Sequence, residues 1–167
     1  MRQMKRLLIL VITIMIFAQT ALAFGTYRTL DFSNGESEKQ AGKILYEYIL
    51  QEQNMTPAEI KDFARIEPQS VRAFEIDLND DGEKEIVGMV YSTLYLGTAG
   101  YSLFILQKQH SGYKNISILV FEPQRKVYIL KTKTNGYHDI KLSGSNHNCV
   151  QYVAKYKDGM YQWAYKL

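Results

Sequence analysis

The sequence predicts an α+β protein in which an N-terminal helical pair packs on a curved antiparallel meander sheet of about seven or eight strands. Two observations lead to this class. Apolar residues recur with helical spacing between residues 37 and 65, and short alternating apolar segments separated by turn residues follow residue 69. The connections between these segments are short, which favours antiparallel hairpins over helical crossovers.

The first 23 residues have the pattern of a cleaved signal peptide. Three basic residues precede an apolar run over residues 7–17, and Ala21-Leu22-Ala23 supplies the small residues of a cleavage site. The run is shorter than the roughly 20 residues that a membrane span needs. We therefore expect an exported protein, periplasmic or secreted, without a stable membrane anchor after cleavage, and a retained N-terminal anchor is the alternative. Residues 24–36 would be a lead-in to one domain over residues 37–167.

Charge argues against a nucleic-acid partner. The chain has 20 basic and 17 acidic residues, and three of the basic ones lie in the predicted signal peptide, so the remainder is formally neutral. The charges are nevertheless segregated, with 7 basic and 14 acidic residues in residues 24–106 against 10 and 3 in residues 107–167. Either the two halves neutralise each other within one fold, or the C-terminal sheet carries a basic face that meets an anionic partner.

Two helices are predicted. The first, over Ser37–Gln53, has its apolar residues on one stripe: Ala41, Ile44, Leu45, Tyr48 and Ile49. The second begins at Thr56-Pro57-Ala58-Glu59, a capping box with proline at the first helical position. It runs to about Arg65 and buries Ile60 and Phe63.

The strands that follow are predicted from alternation and from the turns between them. They cover Val71–Ile76, Ile86–Tyr91, Tyr101–Lys108, Lys114–Phe121, Val127–Lys131, Tyr137–Leu142, Cys149–Tyr156 and Met160–Tyr165.

The segment Asp77–Glu85 packs five carboxylates and an asparagine into nine residues between two predicted strands. Such a density of negative charge needs a cation or basic side chains nearby. Hard oxygen ligands are what Ca²⁺ prefers, and the turn allows several of them to converge. The predicted ligand set comprises the side chains of Asp77, Asn79, Asp81 and Glu85 and the main-chain carbonyl of Glu83, while Asp80 is expected to point to solvent.

This segment resembles the calcium hairpin of integrin-type FG-GAP and VCBS repeats, with the pattern D-x-N-x-D-G-x-x-E followed by Ile86-Val87-Gly88. The resemblance implies a hairpin and an ion site at Asp77, Asn79, Asp81 and Glu85. It does not imply the β-propeller of those repeats, because the segment occurs once. Two further segments, 97–101 and 131–139, look similar to parts of small exported bacterial proteins of unassigned function.

An ion-free alternative exists for the acidic segment. It could form a solvated hairpin turn held by hydrogen bonds from its own aspartates and by Lys or Arg side chains of the C-terminal half. Because no apolar pocket is evident around the five acids, we expect all of them to be ionised, which leaves no proton donor for glycosidase chemistry.

Cysteine and histidine residues give weak support for catalysis. His138-Asp139 and His147-Asn148-Cys149 contain the residue types of a Cys-His nucleophilic site. However, Cys149 opens an apolar strand-like run, so we expect it to be buried, with pairing to another chain as the alternative. No catalytic residue is therefore predicted.

A glycine loop flanked by tyrosines is the predicted partner-binding site. Tyr91, Tyr95 and Tyr101 surround Gly97 and Gly100, and exposed tyrosines would form a rigid amphipathic surface. Packing within the sheet is the alternative role for these rings.

Together these features predict a non-enzymatic binding protein that contacts a protein or glycan outside the cytoplasm, with Ca²⁺ as its candidate cofactor. An inhibitor or immunity protein that blocks a cell-wall hydrolase is the concrete form of this hypothesis. A small extracytoplasmic hydrolase with an unrecognised site is the alternative.

Overall fold

The computed structural model describes residues 25–33, 35–97, 100–121, 126–143 and 151–167. The predicted signal peptide, Thr98 and Ala99 of the glycine loop, and the His147–Cys149 segment lie outside these residues. The elements are β1 (Thr26–Asp31), α1 (Lys39–Gln53), α2 (Pro57–Ala64), β2 (Val71–Ile76), β3 (Glu85–Val90), β4 (Leu96–Gly97), β5 (Gly100–Gln109), β6 (Gly112–Asn115), β7 (Leu119–Phe121), β8 (Lys126–Thr134), β9 (Tyr137–Ser143), β10 (Gln151–Lys157) and β11 (Met160–Lys166). Short 3₁₀ helices cover Pro68–Ser70 and Thr93–Tyr95. Within the described part of the chain, neither helix is long and apolar enough to cross a membrane.

The α+β class with antiparallel sheets is confirmed, but a single meander sheet is wrong. Among the described residues, eleven strands form two sheets. In the six-stranded sheet β2, β3, β5 and β4 are neighbours, and β6 and β7 also pair with β5. The five-stranded sheet has the order β1-β8-β9-β10-β11. The chain leaves the first sheet after β7 and continues in the second. A parallel bridge between Ser117 and Tyr161 connects the two sheets.

The two faces of the six-stranded sheet bury two separate hydrophobic clusters. Alternating residues explain this, because Val87 and Met89 of β3 face the five-stranded sheet while Ile86 and Val90 face the helices. The order of layers is therefore helices, six-stranded sheet, five-stranded sheet. All six residues of β3 are buried, as expected for a strand covered on both sides.

Helix α1 packs on the six-stranded sheet through the predicted stripe. Ala41, Leu45 and Ile49 are fully buried, and Ile44 and Tyr48 pack at the edge of the same cluster. Gly88 of β3 allows this close approach, because a Cβ atom there would lie 2.6 Å from the Arg72 carbonyl oxygen and 2.6 Å from Leu45 Cδ2.

Helix α2 begins with the predicted capping box. The Thr56 main-chain N–H donates to Glu59 Oε2 at 2.8 Å, and the Glu59 N–H donates to Thr56 Oγ1 at 3.3 Å. The prediction that Phe63 is buried is wrong, since 66% of this residue is exposed. The helix is short, and Ile60 and Ala64, four residues apart, form its buried face, in the cluster that α1 and the six-stranded sheet share.

Two local predictions differ from the structure. Residues 26–31, expected within a lead-in, form the edge strand β1, which pairs with β8 almost 100 residues later. The single strand predicted over Lys114–Phe121 is divided into β6 and β7, because Asn115 and Ser117 turn their side chains onto the main chain: Ser117 N–H donates to Asn115 Oδ1 at 3.1 Å.

Gly88→Ala tests the double burial of β3. We expect the substitution to lower the free energy of unfolding by about 1–3 kcal/mol, because the new methyl group meets main-chain and core atoms that cannot move apart cheaply. Urea unfolding measures the effect. Gly42→Ala in α1, where the nearest atom is the Ser37 hydroxyl oxygen at 3.2 Å, is the control and should change stability by less than about 1 kcal/mol. A Gly88→Ala protein as stable as the parent would contradict the packing described.

Candidate functional site

The acidic segment connects β2 to β3, and its first aspartate, Asp77, holds the turn together through hydrogen bonds to main-chain amides. Asp77 Oδ1 accepts hydrogen bonds from the main-chain N–H groups of Asn79 at 3.3 Å and Asp80 at 2.6 Å. Its second oxygen, Oδ2, accepts from the Gly82 N–H at 2.9 Å. Gly82 has a φ of 87°, a left-handed conformation that glycine adopts without strain. One side chain thus satisfies three amides that would otherwise be unpaired in the turn.

Asn79 and Asp81 continue this pattern. Asn79 Oδ1 accepts from the Asp81 N–H at 3.1 Å, and Asp81 Oδ1 accepts from the Glu83 N–H at 2.7 Å. The Asn79 amide group donates to Asp81 Oδ2 at 2.7 Å and to the Tyr137 hydroxyl at 3.3 Å. Three alternating side chains therefore lie on the turn, as the sequence predicted, and each of them binds main-chain amides.

Basic side chains from later strands meet the outside of the hairpin. Lys133 of β8 forms an ion pair with Asp80, and Lys108 of β5 lies 3.2 Å from Glu83 Oε1. Asp80 was expected to point to solvent, but its carboxylate also lies 3.4 Å from His138 Nε2. The hydrogen bond from Lys133 is the largest cause that lowers the pKa of Asp80. The contacts of the ion-free alternative, aspartate turns and C-terminal lysines, are therefore present.

His138 is held in place by β8 and β1. Its Nδ1 atom lies 2.6 Å from the Leu130 carbonyl oxygen, which can only accept, so Nδ1 carries a proton. Its ring stacks on Tyr27 with the ring centres 4.6 Å apart. The neighbouring Asp139 is also buried and accepts from Thr134 Oγ1 at 2.7 Å. These contacts give His138 and Asp139 structural roles between the hairpin and the five-stranded sheet.

Glu85 differs from the other acids of the segment. It is 2% exposed, and its Oε2 atom accepts from the Leu78 N–H at 2.9 Å. Burial is the largest cause that raises its pKa to about 7, with Asp81 and Asp77 also raising it and the Leu78 hydrogen bond opposing the shift. The expectation that all five acids are fully ionised at neutral pH is therefore wrong for Glu85. Glu85 is the first residue of β3 and lies next to Leu78, which is fully buried. The burial of Glu85 was not evident from the sequence, because polar residues precede it.

The described residues do not bring three or more His, Cys, Asp or Glu side chains together in an arrangement that could hold a metal ion. The oxygen atoms of Asp77, Asn79 and Asp81 lie along one turn, and Glu85 is directed to the Leu78 amide. The oxygen donors suit Ca²⁺ chemically, and Asp77 Oδ2 and Asp81 Oδ1 each accept one amide bond, which leaves each of them a second lone pair.

The predicted partner-binding tyrosines are half-buried and belong to two different clusters. Tyr91 and Tyr101 contact each other and pack against the cluster between the sheets, with the Tyr91 hydroxyl donating to the Phe32 carbonyl oxygen at 3.0 Å. Tyr95 packs against Phe104 on the helix side. Its hydroxyl donates to Glu52 Oε2 at 2.7 Å, and burial raises its pKa. The three rings thus anchor the segment from opposite sides of the sheet.

Exposed apolar residues of this segment lie between these tyrosines in the chain. Leu94 and Leu96, on either side of Tyr95, are 38% and 45% exposed, and Ile118, after β6, is 58% exposed. Tyr95 and Ile118 line a cavity of about 200 Å³, together with Val120 of β7. Sequence reasoning missed Leu94 and Leu96. No periodic pattern marks them, because Leu94 lies in the 3₁₀ helix Thr93–Tyr95 and not in a strand.

Gly97 and Gly100 lie at the pairing of β4 with β5, where they are opposite each other. Gly100 has a φ of 120°, and a Cβ atom there would lie 2.6 Å from the Phe121 carbonyl oxygen of β7. This glycine therefore allows β5 to lie between β4 and β7 at a close distance.

Glu85→Gln should change how stability depends on pH. The pKa of Glu85 is raised from 4.5 to about 7 on folding, so the native state holds a proton that the unfolded state has lost between these values. Stability of the parent should consequently fall as the pH rises from 4.5 to 7, by up to about 3 kcal/mol relative to the uncharged variant. Urea unfolding at pH 5 and pH 8 in the presence of a chelator measures this difference. Parallel pH profiles for the two proteins would contradict the burial of an ionisable carboxyl.

No protein-family model, curated protein sequence or solved structure matches this chain. The likeness of Asp77–Glu85 to the hairpin of FG-GAP and VCBS repeats is a local sequence resemblance, and the functional argument rests on the geometry of the chain itself.

Proposed function

We propose that this chain is an exported, non-enzymatic binding protein that contacts another protein outside the cytoplasm, in the manner of an inhibitor or immunity protein. The observation that carries this proposal is the exposure of Leu94, Leu96 and Ile118, which we call the exposed apolar edge. The two leucines flank Tyr95 in the chain, and Tyr95 and Ile118 line the same small cavity. Exposed apolar residues that cluster are typical of protein contacts, whereas single ones are ordinary on a surface. The N-terminal pattern over residues 1–23 supports export.

This edge is suited to binding because hydrogen bonds already hold the residues that support it in the unbound protein. Tyr95 is held by Glu52 and by Gln53, whose Nε2 donates to the Tyr95 hydroxyl at 3.1 Å. Leu94 N–H donates to the Ser92 hydroxyl at 3.2 Å, which defines the start of the 3₁₀ turn. A pre-ordered surface loses less conformational entropy on association. In this proposal the leucines contact the partner, while Tyr91, Tyr95 and Tyr101 with Gly97 and Gly100 shape the segment.

Calcium is the proposed cofactor of the acidic hairpin. Asp77, Asn79 and Asp81 side-chain oxygens, the Glu83 carbonyl and Glu85 would hold the ion, and Ca²⁺ would add the charge compensation that Lys108 and Lys133 supply from outside. The role of the ion would be structural, because it would link the oxygen ligands along the β2–β3 turn to one another. The ion-free hairpin is the alternative.

A hydrolase is the second candidate, and one observation favours it. The pKa of Glu85, about 7, is in the range that a general acid requires. The residue is 2% exposed, however, and a proton donor must reach the substrate. For this reason we favour a binding function.

Thermal unfolding with 5 mM Ca²⁺ and with chelator tests the ion site. A site with a millimolar or tighter dissociation constant should raise stability by about 1 kcal/mol or more at this concentration, because Ca²⁺ binds the folded state alone. Asp81→Ala should abolish the response, whereas Asp62→Ala on the exposed side of α2 should retain it. An unchanged melting temperature in the parent would leave the ion-free hairpin as the correct description.

Leu94→Ser/Leu96→Ser tests the protein contact. An extracytoplasmic partner captured by cross-linking should be identified, purified and titrated calorimetrically against the parent and the variant. Loss of two apolar anchors should weaken binding by about tenfold or more. Leu167→Ser, a 50% exposed leucine at the C-terminus, is the matched control and should bind like the parent. Equal affinity of parent and double variant would remove this edge from the contact.

Inhibition of a purified cell-wall hydrolase by the chain, lost in the same double variant, would establish the inhibitor form of the proposal. Hydrolysis of wall polymer by the chain alone, abolished by Glu85→Gln, would instead favour the enzyme.

A further inference from the structure

A row of residues crosses all five strands of the C-terminal sheet on one face. Thr29 of β1 pairs with Tyr128 of β8, Tyr128 with Lys141 of β9, Lys141 with Val153 of β10, and Val153 with Tyr165 of β11. Strands lie about 4.8 Å apart, so the row extends over roughly 19 Å. Residues that directly oppose each other across strands point to the same face of a sheet.

This face is the one opposite the core. The residues next to the row on the same strands, among them Ile129, Ile140 and Ala154, belong to the cluster between the two sheets. Both described helices pack on the other sheet, with α1 contacting β2 and β3. Tyr165 is 41% exposed, and Tyr128, Lys141 and Lys155 are half-buried.

The lysines of this face lie over its tyrosine rings. Lys141 Nζ is 4.4 Å from the centre of the Tyr128 ring, and Lys155 Nζ is 5.6 Å from the centre of the Tyr165 ring. Each ring attracts the ammonium group and limits its motion. An ammonium group has three N–H donors, and those directed away from the ring are available to an anion.

Few acidic residues lie on these strands, and both of them have partners. The acidic residues of β1 and β8–β11 are Asp31 and Asp139. Asp31 pairs with Lys126 at 3.2 Å, and Asp139 is buried against Thr134. Among the described residues, neither Lys141 nor Lys155 forms an ion pair. The face therefore has an excess of positive charge and is complementary to an anionic partner.

We infer that this face, formed by Tyr128, Lys141, Lys155 and Tyr165 around the fully buried Val153, binds an acidic polysaccharide. Lysine ammonium groups would pair with the carboxylates of the sugar units, and the edges and exposed faces of the tyrosine rings would pack against their apolar C–H faces. Two lysines that lie between two tyrosines, with one of these residues on each of the four neighbouring strands β8–β11, fit an extended chain better than a single small anion. The expected export favours a polysaccharide over nucleic acid. This surface is separate from the Leu94–Leu96 edge and does not depend on the protein contact proposed there.

Binding to immobilised polygalacturonate tests the inference, with its fully methyl-esterified form as the uncharged polymer and a single-stranded oligothymidylate as the nucleic-acid probe. We expect the chain to bind polygalacturonate and to bind it more weakly as salt increases. Lys141→Gln/Lys155→Gln should raise the dissociation constant by about tenfold. Lys43→Gln/Lys61→Gln removes the same charge from the helices and should change it less than about twofold.

Tyr165 separates a specific site from general charge attraction. Tyr165→Ala should weaken binding several-fold without a change in net charge, and Tyr165→Phe should restore it because the ring is retained. Leu94→Ser/Leu96→Ser should bind the polysaccharide like the parent.

Three results would overturn the inference. One is equal loss of binding in the two double-lysine variants, and another is equal binding of the esterified polymer. The third is tighter binding of the oligothymidylate that is lost in Lys141→Gln/Lys155→Gln, which would assign the face to single-stranded nucleic acid. Circular dichroism confirms that each variant is folded before it is compared.

Discussion

The burial of β3 on both faces is the constraint on which the rest of the structure depends. Its six residues are all buried, and its two faces belong to different hydrophobic clusters. Because a strand covered on both sides needs two covering layers, the helices must lie on one side and a second sheet on the other. Gly88 sets the distance of α1 from the sheet, since no other residue would leave room for Leu45 and the Arg72 carbonyl group.

The buried strand β3 sets the position of the acidic hairpin, because the hairpin leads directly into it. Glu85, the first residue of β3, is buried in the core, while Asp77 and Asp81 bind the main-chain amides of the turn. The C-terminal sheet then meets the hairpin directly, with the His138 N–H donating to the Leu78 carbonyl oxygen at 2.7 Å. Two carboxylates of the hairpin, Asp80 and Glu83, are paired with Lys133 and Lys108 from the second half of the chain.

The two proposed surfaces follow from the same layering. The exposed apolar edge belongs to the six-stranded sheet, where β5 is bordered by the short strands β4 and β7. The cationic face belongs to the five-stranded sheet, on the side turned away from the core. Since each lies on a different sheet, a protein and an acidic polymer could be bound together.

The sequence by itself determined the elements whose causes are local. Helical spacing placed Ala41, Leu45 and Ile49 on one face, the Thr56–Glu59 capping box started α2, and turn residues separated the strands, including the acidic hairpin with its aspartate turns. Only the tertiary structure decided the features that depend on distant pairing: β1 beside β8, two sheets in place of one, and the row from Thr29 to Tyr165. It also turned Tyr95 inward and left Leu94 and Leu96 exposed, and it buried Glu85. Each of these depends on which residues meet across the fold, and that information is absent from any single segment.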